Sequence, residues 1–289
     1  MITIENGSLT ISIATKGAEL QHIQSKETGL EYMWSGDPAF WGKKSPVLFP
    51  IVGGLKNNQY LYKEQAYTLG RHGFARDMEF TVSAQASGTA TFTLTSSDKT
   101  RELYPFDFSF SVKYTLDKNK VIVTYIVENK NNHNLLFSVG GHPAFKVPLT
   151  ADTSFEDYYL KFNQTETAGK WPLSPEGLIE NKPVPFLENT DELPLQKSLF
   201  YKDALVFKKL RSTAISILNK KNTHGLTVRF DGFPFMGIWS AKDADFVCIE
   251  PWYGIADHVG TSGNLFEKEG INQLAPDTTF SCEWSVEVV

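Results

Sequence analysis

The chain has 289 residues and a formal net charge of −5 at pH 7, a balance that argues against general affinity for nucleic acid or an anionic membrane. Apolar residues make up 41% and aromatics 13%, with 21 Phe against 4 Met, which is enough for a large, stiff aromatic core. Only two cysteines occur, Cys248 and Cys282, so there is no disulfide framework and no CxxC metal pattern; reduced thiols in a cytoplasmic protein are the expectation.

The first residues, Met1-Ile2-Thr3-Ile4-Glu5-Asn6-Gly7, carry neither a basic region nor a long apolar run, unlike a secretory signal. Nowhere do 18 apolar residues follow one another, so no membrane helix is expected. Leu9, Ile11 and Ile13 alternate with polar or small neighbours and predict a strand buried on one face, followed by a second over 20–25. Asp37-Pro38 has the form of a capped helical turn. In Pro46-Val47-Leu48-Phe49-Pro50-Ile51-Val52-Gly53 the apolar run demands burial while two prolines exclude a central strand. A hairpin is expected over 60–69.

From Phe80 to Tyr125 strand follows strand, with Phe106, Phe108, Phe110, Val112 and Tyr114 marking one face and Val121, Val123 and Tyr125 the next. Residues 147–200 hold six prolines and show little periodicity, which reads as long surface connections. Strands resume at 204–207, 215–217, 226–230, 236–240 and 246–252, and a closing strand alternates Phe280, Cys282, Trp284, Val286 and Val288. Strand density without βαβ alternation predicts an all-β sandwich, and no fixed-period repeat points to a propeller.

Three segments trap a polar residue among glycine, proline and aromatics at a strand end. Ser138-Val139-Gly140-Gly141-His142-Pro143-Ala144-Phe145 holds an imidazole in one pose, because proline restricts the residue before it. Gly70-Arg71-His72-Gly73-Phe74-Ala75-Arg76-Asp77 gathers a histidine and two arginines around glycines, and Phe246-Val247-Cys248-Ile249-Glu250-Pro251-Trp252 ends a buried strand in a carboxylate. A polar group so placed costs about 2–7 kcal/mol unless it is paired or reached by a ligand. Two histidines and a glutamate of this character predict a site, and histidine suits proton transfer near neutral pH.

With Lys202-Asp203-Ala204-Leu205-Val206-Phe207, these segments make the chain resemble the aldose 1-epimerase (galactose mutarotase) superfamily, in its LacX-like branch. The resemblance implies one domain over 1–289: a β-supersandwich of two large twisted, mostly antiparallel sheets with few short helices and a carbohydrate cleft across one of them. It implies Glu250 as general base and His142 as general acid, with His72, Asp203 and Arg71 binding the sugar and no cofactor or metal. Trp41, Phe74, Phe145 and Trp252 are the aromatics available to stack on a pyranose, Phe74 and Trp252 foremost. The chain departs from the pattern at Gly54, where many relatives carry arginine, so a substrate preference does not carry over.

Ring opening of a hemiacetal needs a base on O1 and an acid on O5 together, which the Glu250–His142 pair supplies, each transfer contributing about 10²–10⁴-fold. Two other classes compete: a carbohydrate-binding protein without catalysis, and a transition-metal triad of His72, His142 and Glu250. Arg71, Arg76 and Lys56 near His72 leave a hexose 6-phosphate open beside a free aldose; the plain alternative pairs Arg76 with Asp77 and leaves Lys56 in solvent. His258, shortly after the Glu250 strand, is a possible neighbour of the cleft.

Overall fold

Strands Phe108–Asp117 and Lys120–Asn129 pair without a slip from Lys120 opposite Asp117 to Asn129 opposite Phe108, and bury alternate residues. They lie in a nine-stranded antiparallel sheet, in the computed structural model that describes residues 1–289. From edge to edge its strands are Val184–Pro194, Tyr158–Lys170, Ala214–Asn219, Leu226–Arg229, Thr279–Val288, Lys120–Asn129, Phe108–Asp117, Thr89–Thr95 and Thr81–Ala86. In its central strands the polar alternates leave through the outer face and the apolar ones enter the core.

A six-stranded sheet closes that core. Its strands run Leu205–Lys208, Phe235–Trp239, Phe246–Tyr253, Val139–Gly141 and Val47–Leu48, with Ala144–Lys146 also paired to Phe246–Tyr253. Met236, Ile238, Leu205, Phe207, Val247 and Ile249 point inward and join Phe110, Val123 and Trp284 in one 61-residue cluster. Phe49 bridges the sheets by stacking on Phe110, ring centroids 4.4 Å apart. Each fully buried Phe contributes about 1.5–3 kcal/mol by leaving water.

The strands of this second sheet are apolar on both faces. Phe246, Cys248 and Trp252 point outward, yet loops cover them in two smaller clusters. That outer face carries the cleft. Three small pieces complete the fold: a three-stranded sheet of Ile2–Glu5, Leu9–Ile13 and Leu20–Ser25, the expected hairpin Gln59–Tyr62 with Gln65–Thr68, and the pair Leu135–Phe137 with Asn272–Leu274. No helix is long and apolar enough to cross a membrane.

The all-β expectation holds, and Val47–Leu48 lies at a sheet edge as its prolines require. Residues 147–200 depart from expectation. They contain the long strands Tyr158–Lys170 and Val184–Pro194, which form one edge of the large sheet. Bulges break their register three times, and much of their length is exposed on both faces, which erases the period-two signal. A helix unmarked by apolar periodicity, Asp98–Leu103, starts from a Ser97 capping box. Asp37 caps a single turn, its carboxylate accepting from Ala39 N–H at 2.9 Å. Both cysteines are free; Cys248 is buried and Cys282 only partly so.

Candidate active site

Strand register alone sets the central pair. Gly140 lies opposite Trp252, and Ala144 opposite Cys248, on the same strand Phe246–Tyr253. His142, midway between the two pairings, therefore faces Glu250. Pro143, which has no N–H, occupies the break in the ladder. The chain also has to pass close to its neighbours here. A Cβ on Gly141 would stand 2.8 Å from Tyr125 Oη, and one on Gly140 2.8 Å from Trp252 Cδ1. Close approach, rather than an unusual backbone angle, is what these two glycines provide.

His142 Nε2 lies 3.2 Å from Glu250 Oε2, with Glu250 only 1% exposed. The imidazole is walled in by Trp41 at 4.9 Å, Trp239 at 5.5 Å and His72 at 5.6 Å between ring centroids, which fixes its orientation. Burial pushes the Glu250 carboxyl well above the usual range; the negative charge of Asp203 adds to this, while the Trp252 indole and Arg71 oppose it. Burial takes His142 the other way, down to about 3, and Arg76 and Arg71 add to the effect. Both shifts favour the uncharged pair, a protonated carboxyl beside a neutral imidazole.

His72 is held by its backbone at φ +68°, a left-handed conformation uncommon outside glycine, and Asp203 likewise at φ +79°. Strained residues of this kind gather at functional sites. His72 Nδ1 accepts from Gly53 N–H at 3.1 Å, so a neutral ring carries its proton on Nε2 and is a donor there. Burial first, then His142, Arg76 and Arg71, drives its pKa well down and keeps it neutral. Asp203 accepts from Ala204 N–H at 2.8 Å and stands 4.0 Å from the Arg71 guanidinium.

These residues line a cleft of about 500 Å³, in the range of small-molecule sites. Glu250, His142, His72, Asp203, Arg71, Arg76 and Trp252 all reach it, as do Trp41 and Gly54. Gly54 leaves room beside Arg71, whose Nε would lie 4.0 Å from a Cβ there. The imidazole and the carboxyl touch each other, and the open space lies in front of them.

Phe74 does not reach the cleft. It is buried in the core against Phe49, Tyr104 and Phe108 at 6.1–6.4 Å. Two successive left-handed residues, His72 and Gly73, turn the chain so that the following ring points inward. Phe145 is likewise wholly buried in the main core. Lys56 binds the Val259 carbonyl and stands away from the cleft, as does His258. Arg76 lies 3.7 Å from Asp77, yet still lines the cleft. Ser240, Lys242 and Trp239 at the end of one strand, and Ile179 in the long connection, were not singled out by sequence. Their signal was only that loops at strand ends carry function.

Comparison with known proteins bears on the chain as a whole. The family model described as aldose 1-epimerase matches residues 1–269. The chain is 32% identical to the chromosomal LacX protein of Lactococcus lactis subsp. lactis, covering all of this chain and 99% of the relative. Among solved structures it is similar to a galactose mutarotase related enzyme from Lactobacillus acidophilus, at 38% identity and TM-score 0.95 over 100% of this chain and 97% of that one. It is also similar to a galactose mutarotase-like protein from Lactobacillus casei, at 31% identity and TM-score 0.92 over the whole of both chains. The chain belongs to the aldose 1-epimerase family.

Proposed function

We propose that this protein is a mutarotase that interconverts the α and β anomers of an aldohexose or related sugar. The observation that carries the reading is the 3.2 Å contact between His142 Nε2 and Glu250 Oε2 at the base of the cleft. O1 and O5 are bonded to the same carbon, so the groups that serve them must be near neighbours.

The proton passes from Glu250 to His142, leaving a carboxylate and an imidazolium. Glu250 then takes the O1 proton while His142 gives its own to O5, and the C1–O5 bond breaks. Rotation about C1–C2 presents the other face of the aldehyde, and ring closure returns both protons. With the ring open, Glu250 is protonated and His142 neutral, which is the state that burial favours. His72 Nε2–H and Asp203 hold sugar oxygens, and Trp41 and Trp252 supply apolar walls.

A second reading keeps the chemistry on a phosphorylated aldose. Arg71, Arg76 and Lys242 line the cleft against only two carboxyl groups, Asp203 and Glu250, and burial disfavours the charge on Glu250. Arg76 Nε is buried without a hydrogen-bond partner. Polarimetry with fresh α-D-glucose, α-D-galactose and their 6-phosphates separates the readings. Faster relaxation with one set identifies the substrate; binding without faster relaxation on any of them overturns the enzyme in favour of a carbohydrate-binding protein.

A further inference from the structure

The proton-transfer pair has a third neighbour that the epimerisation does not use. Cys248 precedes Glu250 by two positions on one strand, so both side chains leave the same face. A ligand atom of Cys248, one of His142 and one of Glu250 all lie within 4.8 Å of one another, and all three residues are buried. Glu250 Oε2 has no hydrogen-bond partner. Cys248 itself does not line the cleft; it packs with Trp34, Ala144, Ala244 and Phe246. The thiol thus reaches the pair from behind, while the cleft opens in front.

Thiolate, imidazole and carboxylate together form a donor set suited to Zn²⁺, and three protein ligands leave a fourth position for water or substrate. Bond lengths of about 2.0–2.3 Å around a tetrahedral zinc put its donors roughly 3.3–3.8 Å apart. The His142–Glu250 contact is 3.2 Å, and no pair in the trio exceeds 4.8 Å, so shifts of about an ångström complete the geometry. The charges also balance. Zn²⁺ with one thiolate, one carboxylate and a neutral imidazole is uncharged, and such a group is far cheaper to bury than a lone ion. Binding releases the thiol proton and the carboxyl proton to solvent.

We infer that Cys248, His142 and Glu250 form a Zn²⁺ site whose occupation switches the enzyme off. The metal takes the lone pairs with which Glu250 and His142 would move protons, and its open position lies where C1 of a sugar would sit. The switching rests on the proposed mutarotase reading, whereas the binding does not.

The test uses the full-length protein freed of metal with a chelator. Calorimetry should find one Zn²⁺ per chain, and Co²⁺ in its place should give a thiolate-to-metal charge-transfer band in the near ultraviolet. Zn²⁺ should stop polarimetric relaxation, and chelator should restore it. Cys248→Ala should relax sugar at the wild-type rate without metal, lose the Co²⁺ band and need far more Zn²⁺ for inhibition. The increase should exceed the 10–100-fold that loss of a mere outer-shell partner typically costs. Cys248→Ser, closer in volume, serves if alanine unfolds the strand, and Cys282→Ala should behave as wild type. Absence of the Co²⁺ band overturns the site, as does equal Zn²⁺ sensitivity in Cys248→Ala. A protein that shows the band but relaxes no sugar would keep the site and lose the mutarotase reading.

Discussion

The two sheets bury opposite things. The nine-stranded sheet sends one apolar face into the core and gives the other to water, so its residues answer to packing alone. The six-stranded sheet is buried on both faces, and on the outer one it puts a carboxyl and an imidazole where apolar side chains would pack better. In Phe246–Tyr253, Val247 and Ile249 serve the scaffold, while Glu250, one position on, serves the site. Stability and function are thus separated across the thickness of one strand, and substitutions on its two sides should fail in different assays.

The widest separation is expected at the pair itself. Glu250→Gln and His142→Asn should each lower the relaxation rate by about 10²–10⁴-fold. The double variant should be little worse than the weaker single one, because the two groups act as a unit. Glu250→Gln should leave the fold intact. The folded chain keeps a proton on Glu250 up to a pKa well above 4.5, whereas the unfolded chain loses it near 4.5. Wild-type stability therefore falls as pH rises across that window, and Glu250→Gln should become the more stable protein there in urea unfolding. Multiplicative loss in the double variant would mean that the two groups act independently.

On the other side of the sheet stack, Phe110→Ala should behave in reverse. Phe110 is fully buried and lies against Phe49, Phe80 and Tyr125. Its truncation should cost about 3–5 kcal/mol in urea unfolding. The folded fraction should retain its turnover within a few-fold, measured as relaxation rate per folded molecule. A loss of turnover on the scale of Glu250→Gln would show that site and scaffold are not separable.

The same division explains what was legible in the sequence. Phe108 to Asp117 announced itself because a half-buried strand must alternate. His142 and Glu250 were legible because glycine, proline and aromatics pinned a polar residue at a place where burial is costly. Phe74 was misread because adjacency to His72 says nothing about which way a turn throws the next ring; two left-handed residues decide that. Lys242 was missed because a solvated loop has the same composition whether or not a cleft lies beside it, and Ser240 because one buried serine past a strand end carries no pattern. The strands within 147–200 were missed because the alternation of Tyr158, Leu160 and Phe162 lasts only five residues before bulged, exposed edge residues erase it.

A smaller effect separates the pair's members by pH. Unfolded His142 takes up a proton below about 6.5, but folded His142 does not until about 3. The folded state therefore loses stability as pH falls between those values, and His142→Asn should remove that part of the acid sensitivity seen in urea unfolding at stepped pH. His72→Gln should cost less than either member of the pair. It removes one neutral donor, about 0.5–1.5 kcal/mol or roughly 2–12-fold in kcat/KM.

The smallest effect concerns a charge that acts only through space. Asp203 raises the Glu250 pKa, second to burial. Activity should fall on the alkaline side as the pair loses its single proton, and Asp203→Asn should move that limb to lower pH. Asp203 is about one-third exposed, so solvent screens its charge. The shift should be about half a pH unit or less. Weaker sugar binding in this variant would lower kcat/KM at every pH without moving the limb, which keeps the two roles of Asp203 distinct. Salt supplies the cross-check: in the wild type, high ionic strength should move the limb in the same direction, and in Asp203→Asn it should move it less. A limb that ignores both salt and the substitution would leave burial alone as the cause, and Asp203 would then act only as a sugar ligand.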